Sequence, residues 1–144
     1  MLINETVKKT LDQLVSLHLM KGLQPSEIAD AIFDQEYSDI KIEKTSDKIL
    51  LIASFVEEND GDVTHHKMRY SYNSQRKLFL IEQKLGKSSY KIQWDREHEI
   101  SKLLTTLTSQ LRTLNSSESV DELMERIPSE LATKIKNTVV YLAA

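Results

Sequence analysis

The chain has 144 residues, 40% of them apolar and 28% charged, which is the make-up of one soluble globular domain able to bury a core without metals or disulfides. It has no cysteine, so disulfides, cysteine-based zinc sites and thiol nucleophiles are excluded, and a reducing compartment suits it. The net charge of −3 conceals blocks: residues 1–62 sum to −7, residues 63–94 to +6 and residues 95–144 to −2, a basic island between acidic flanks.

The opening residues MLINETVKKT lack the long apolar run that succeeds the basic start of a signal peptide. Instead Asn4 is placed to cap a helix, with Glu5 near the positive end of its dipole. Val7, Leu11, Leu14 and His18 then recur at helical spacing, widened by Val15 and Leu19, and Gly22 is the expected stop. A second helix is predicted from Pro25 to Asp34. Proline is tolerated in a first turn, Glu27 complements the dipole, and Ile28, Ala31 and Ile32 share a face. The stretch LQPSEIADAIF resembles the first half of a helix-turn-helix. The next residues, DQEYSDIKIEKT, alternate like a strand and are acidic where phosphate contact wants Lys and Arg, so the second half fails.

From Asp39 the period becomes two. DIKIE reads as a half-buried strand. KILLIASFVEE is nearly continuous apolar residues and reads as a central strand covered on both faces; its run ILLIASFV is too short to cross a bilayer. NDGD at 59–62 supplies the Asp-Gly signal of a tight hairpin. The return strand VTHHKMRYSY sets Thr64, His66, Met68, Tyr70 and Tyr72 on one face and Val63, His65, Lys67, Arg69 and Ser71 on the other. KLFLIEQ and YKIQW, separated by turns at NSQR and LGKSS, complete an antiparallel meander of about five strands.

Beyond Trp94 helical spacing returns. Ile100, Leu104, Leu107, Leu111 and Leu114 make an a/d seam, while Ser101, Thr105, Thr106, Thr108, Ser109 and Thr113 form a weakly charged opposite side that costs little to desolvate. LNSSES breaks this helix, Ser119 and Glu122 have capping-box spacing, and a last helix carries Leu131, Ile135, Val139 and Leu142. Its start, RIPSELATKIK, repeats the Pro-Ser-Glu of residues 25–27. The surrounding segments differ, so the match marks two helices that begin alike rather than a duplication. The expected architecture is α+β, a single domain over residues 1–144 with N-terminal helices, the meander, and C-terminal helices packed on one sheet face.

Chemistry-bearing motifs are scarce. His65 and His66 are adjacent on a strand and point to opposite faces. His98 lacks a partner at helical spacing, and His18 continues an apolar stripe, so no metal site is expected. Glu57, Glu58, Asp60 and Asp62 lack the ordered ligand spacing of a calcium loop. There is no Gly-x-Ser-x-Gly elbow, and all three glycines fall at helix ends or turns, so no cofactor loop is expected either. The remaining candidates are surfaces. Strand parity places the cations outside and the rings of Tyr70, Tyr72, Tyr90 and Trp94 inside, with Lys91 opposite to Tyr90, Ile92 and Trp94. The partner-binding residues expected are Lys67, Arg69, Arg76, Lys77 and Lys91 on the basic sheet and Leu104, Leu107 and Leu111 on the seam helix. This reads as a non-catalytic cytoplasmic interaction module of adaptor, chaperone-like or regulatory type, without cofactor or membrane association. Its expected partner is an acidic protein, and the seam helix would suit a homodimer. The alternative is nucleic-acid binding by the same basic face.

Overall fold

A computed structural model describes residues 2–112, 124, 125 and 127–143. The elements are α1 (Leu2–Leu19), α2 (Pro25–Ala29) continuing as a 3-10 turn (Asp30–Phe33), β1 (Tyr37–Lys44), β2 (Ile49–Asn59), β3 (Asp62–Tyr72), β4 (Leu78–Leu85), β5 (Lys91–Asp95), α3 (Arg96–Arg112) and α4 (Ser129–Ala143). The class is α+β, and the sheet is a five-stranded antiparallel meander in the order β1-β2-β3-β4-β5. The chain divides into two compact units, residues 21–96 and residues 1–20 with 97–144.

In the helical unit, Val7, Leu11 and Leu14 of α1, Ile100, Leu104, Leu107 and Leu111 of α3, and Leu131, Ala132 and Ile135 of α4 form one buried cluster together with Met124. The helical periodicities are thus satisfied by a core of their own. Helix α1 begins at Leu2, two residues before the expected cap, because nothing ahead of Asn4 breaks it. Thr108, expected on the outward side of α3, is buried, and its hydroxyl donates to the Leu104 carbonyl at 2.8 Å. The exposed Thr105 and Thr106 hydroxyls likewise donate to the carbonyls of Ser101 and Lys102, four residues back. The expected capping box at Ser119 and Glu122, the break at LNSSES, Leu114 and Thr113 lie outside the described residues.

In the sheet unit, Leu51, Ala53, Tyr72 and Leu78 are buried with Ile28 of α2, and Tyr37, Ile40, Ile49, Tyr70, Ile81 and Trp94 pack against them. Two expectations change here. β2 is second in the sheet rather than central, and it buries Leu51 and Ala53 while Leu50, Ile52 and Val56 on its other face are only half-buried. The second helix is α-helical for five residues and then tightens. In a 3-10 turn each residue advances 120° rather than 100°, so Ile32 leaves the face of Ile28 and is exposed, as is Phe33.

The β2–β3 hairpin closes as NDGD predicts. Asn59 pairs with Asp62, and both loop residues take positive φ, 51° at Asp60 and 87° at Gly61, the two-residue turn whose twist matches the strands. Both sheet edges carry a register shift, at Tyr37/Asp39 on the β1 side and opposite Ile81/Glu82 on the β5 side. Such bulges discourage edge-to-edge pairing with another chain.

Candidate functional site

On β3, parity holds. Tyr70 and Tyr72 face the sheet core, and Lys67 and Arg69 face the other way, in register with Lys84 and Glu82 of β4 and with Ser54 and Ile52 of β2. On β5 parity fails. Trp94 pairs with Ile81 but Ile92 pairs with Glu82, leaving Gln93 as the extra residue of a bulge. Trp94 and Ile92, expected on one face, therefore lie on opposite faces: Trp94 packs in the core, and Ile92 is 62% exposed on the side of Lys67. Lys91 pairs with Gln83 and so lies on the face away from Lys67. Arg76 and Lys77 belong to the β3–β4 turn. The five basic residues expected on one sheet face are spread over both faces and one end.

The expected separation of rings from cations also breaks at Tyr90. The Arg69 guanidinium lies 3.8 Å from the Tyr90 ring centroid, and the Lys84 ammonium is 5.8 Å from the same centroid. Arg69 donates from Nε to Glu82 Oε1 at 2.9 Å and from Nη2 to Glu82 Oε2 at 3.0 Å. These hydrogen bonds raise the Arg69 pKa, against the opposing effect of burial. Arg69 is thus already neutralised. Lys67 is exposed and directly across from Lys84, and among the described residues neither lysine makes an ion pair. Leu104, Leu107 and Leu111 are interior to the helical core, 4%, 0% and 7% exposed, so they present no surface.

Sequence reasoning missed the surroundings of His66. This ring is 8% exposed and stacks on Phe55, its partner across β2, with centroids 4.7 Å apart and planes 1° from parallel. Glu57 Oε2 lies 3.0 Å from Nε2, and the Gln83 amide nitrogen lies 2.9 Å from Nδ1. Both partners sit diagonal to His66 on the flanking strands, two residues from its paired Phe55 and Leu85. Their identities are set by register, which a single-strand pattern does not supply. Both ring nitrogens of His66 thus lie within hydrogen-bonding distance of a side chain from a flanking strand, which fixes the orientation of the ring on the sheet.

At the opposite end of the sheet from the Asp-Gly hairpin, the β1–β2 turn, the β3–β4 turn and the start of α2 enclose a half-open groove of about 680 Å³. Lys44, Lys48 and Arg76 line it, against one carboxylate, Asp47. A serine from each segment also lines it, Ser26, Ser46 and Ser74, together with the buried Tyr72. Arg76 has φ +67°. Its N–H donates to the Asn73 carbonyl at 3.1 Å, and the Asn73 N–H donates to the Lys77 carbonyl at 3.0 Å. That is a three-residue hairpin loop whose left-handed position ordinarily belongs to glycine. The Gln24 amide holds it there, donating to the Arg76 carbonyl at 3.0 Å.

Among the described residues no three His, Asp or Glu side chains are placed to hold a metal ion, and no helix is long and apolar enough to cross a membrane. No family model, curated protein or solved structure matches the chain.

Proposed function

We propose that this chain is a non-catalytic interaction module that binds an acidic segment of a partner protein through Lys67 and Lys84. The carrying observation is their direct opposition across β3 and β4 without a carboxylate between them. Like charges directly opposite each other on a sheet repel, so this arrangement works against folding and gains from any carboxylate docked between the two ammonium groups. Lys87, exposed in the β4–β5 turn, extends the positive surface. The hydrogen bond from Gly86 N–H to the His65 carbonyl, 2.9 Å, ties that turn to β3.

A protein is favoured over a nucleic acid by the placement of the rings. Tyr90 already lies beneath Arg69, and Tyr70, Tyr72 and Trp94 are packed in the core, so these rings are not free to stack on bases.

The test is equilibrium binding of the full chain to polyglutamate between about 50 and about 300 mM salt, with K67E/K84E as the variant. That variant exchanges one like-charge pair for another, and the thermal midpoint of K67Q/K84Q, which removes the charges without reversing them, checks that the fold is kept. Affinity should fall with salt and drop roughly tenfold or more on charge reversal. Indifference to both salt and reversal overturns the proposal, and tighter binding of a single-stranded oligonucleotide than of polyglutamate would transfer the site to nucleic acid.

A further inference from the structure

We infer that the groove between the two turns and α2 is a binding site for a phosphate group, separate from the Lys67–Lys84 surface. Its volume of about 680 Å³ is that of a small-molecule site. Lys44, Lys48 and Arg76 form no ion pair among the described residues. The lining carboxylate, Asp47, and Glu27 beside the lining residue Ser26 each accept a local hydrogen bond. Asp47 Oδ1 accepts from the Thr45 hydroxyl at 3.0 Å, and Glu27 Oε2 accepts the Gln24 N–H at 2.7 Å. Three cations against one carboxylate leave the lining two charges positive, the match for a phosphate dianion. A planar guanidinium, two ammonium groups and serine hydroxyls are the donors a many-oxygen anion takes.

Arg76 supplies the second, independent reason. Its backbone sits where this loop favours glycine, so an arginine there works against the turn it occupies. Among the described residues of the sheet unit nothing requires the side chain: Arg76 is exposed, and the bond it gives the fold beyond its own loop is through its backbone carbonyl. The left-handed position thus places a cation in the lining of a polar groove.

The experiment titrates the full chain with inorganic phosphate and with phenyl phosphate at matched ionic strength and about pH 8, where the dianion dominates, tracking backbone amides by two-dimensional NMR. Saturable shifts confined to residues 24–26, 44–49 and 72–77 are expected. R76G should weaken them roughly tenfold or more while its thermal midpoint stays at or above that of the unsubstituted chain, since glycine relieves the backbone. K48Q, which leaves the backbone untouched, should weaken them too. Tighter binding of phenyl phosphate identifies an organic phosphate as the ligand, and equal binding identifies free phosphate; both support the site. An absence of saturable shifts, or unchanged affinity in R76G and K48Q, overturns it. Because Lys67 and Lys84 are not touched, the outcome is independent of the polyglutamate test.

Discussion

Arg69 and Glu82 face each other in register across β3 and β4 and join through two parallel hydrogen bonds of 2.9 and 3.0 Å, with the guanidinium lying on Tyr90. Glu82 is the one acidic residue in the basic island, and its position cancels the one arginine on the sheet face. Glu82→Gln keeps the shape and removes the charge from a carboxylate only 15% exposed. The expected loss is about 1–3 kcal/mol, read from urea unfolding, because a partly buried guanidinium then keeps its place without its counter-charge. A loss under roughly half a kcal/mol would place the pair among ordinary surface ion pairs. The raised Arg69 pKa makes its contribution fully present at neutral pH and lost only in strong alkali, so Arg69 adds no slope to stability across the neutral range.

A slope appears in the alkaline range, where burial raises the phenol pKa of Tyr70 and, more strongly, of Tyr72. Burial, with smaller contributions from Tyr70 and Glu27, raises its pKa well above the ordinary 10.0, and its hydroxyl donates to the Leu23 carbonyl at 2.6 Å. A raised phenol is stabilising below pH 10.0, where both folded and unfolded forms are neutral, and that stability is lost as pH climbs toward the folded-state value and the unfolded phenol ionises first. Tyr72→Phe should cost about 1 kcal/mol at neutral pH through the lost hydrogen bond. It should also lose less stability than the unsubstituted chain between about pH 9 and about pH 11. Equal alkaline slopes in the two chains would refute the assignment.

Two glycines separate backbone strain from crowding. Gly22 has φ +79°, and a Cβ there would lie 3.0 Å from Leu78 Cβ; Gly61 has φ +87° and open space around it. Gly61→Ala should therefore cost about 1 kcal/mol, the dihedral penalty alone, and Gly22→Ala about 2–3 kcal/mol, since Leu78 must also move. Leu78 is held in place by its own N–H, which donates to the Lys21 carbonyl at 2.8 Å. Matching losses in the two variants would show that the Leu78 contact yields freely.

Leu107 tests whether the seam helix is core or interface. It is fully buried among α1, α3 and α4, so Leu107→Ala should cost about 2–5 kcal/mol in unfolding experiments. Ser109→Ala, on the exposed side of α3, should stay within about 0.5 kcal/mol of the starting chain. A fold indifferent to Leu107→Ala would return that residue to the surface role its spacing suggests.

Much of the fold is legible along the chain because it rests on short-range rules. The alternation of Ile40 and Ile42 with charged residues, the Asp60–Gly61 turn, the glycines at helix ends and turns, and the four-three spacing from Ile100 to Leu111 each mark an element from its own residues. The site was less legible. Parity on β3 is intact, yet one extra residue, Gln93, turns Ile92 to the side of Lys67 and Lys91 away from it. No local signal foretells that bulge, because it arises where β5 meets β4. The partners of His66, Glu57 and Gln83, come from separate strands for the same reason.

Composition and periodicity were thus sufficient for the class, the strand order and the identity of most core positions, since burying apolar residues at a fixed repeat leaves few alternatives. Tertiary pairing alone decided which charges cancel, which stay unmatched and which turns close on a groove. Those outcomes depend on cross-strand register and on distances between segments far apart in the chain, quantities that a linear order of residues does not contain.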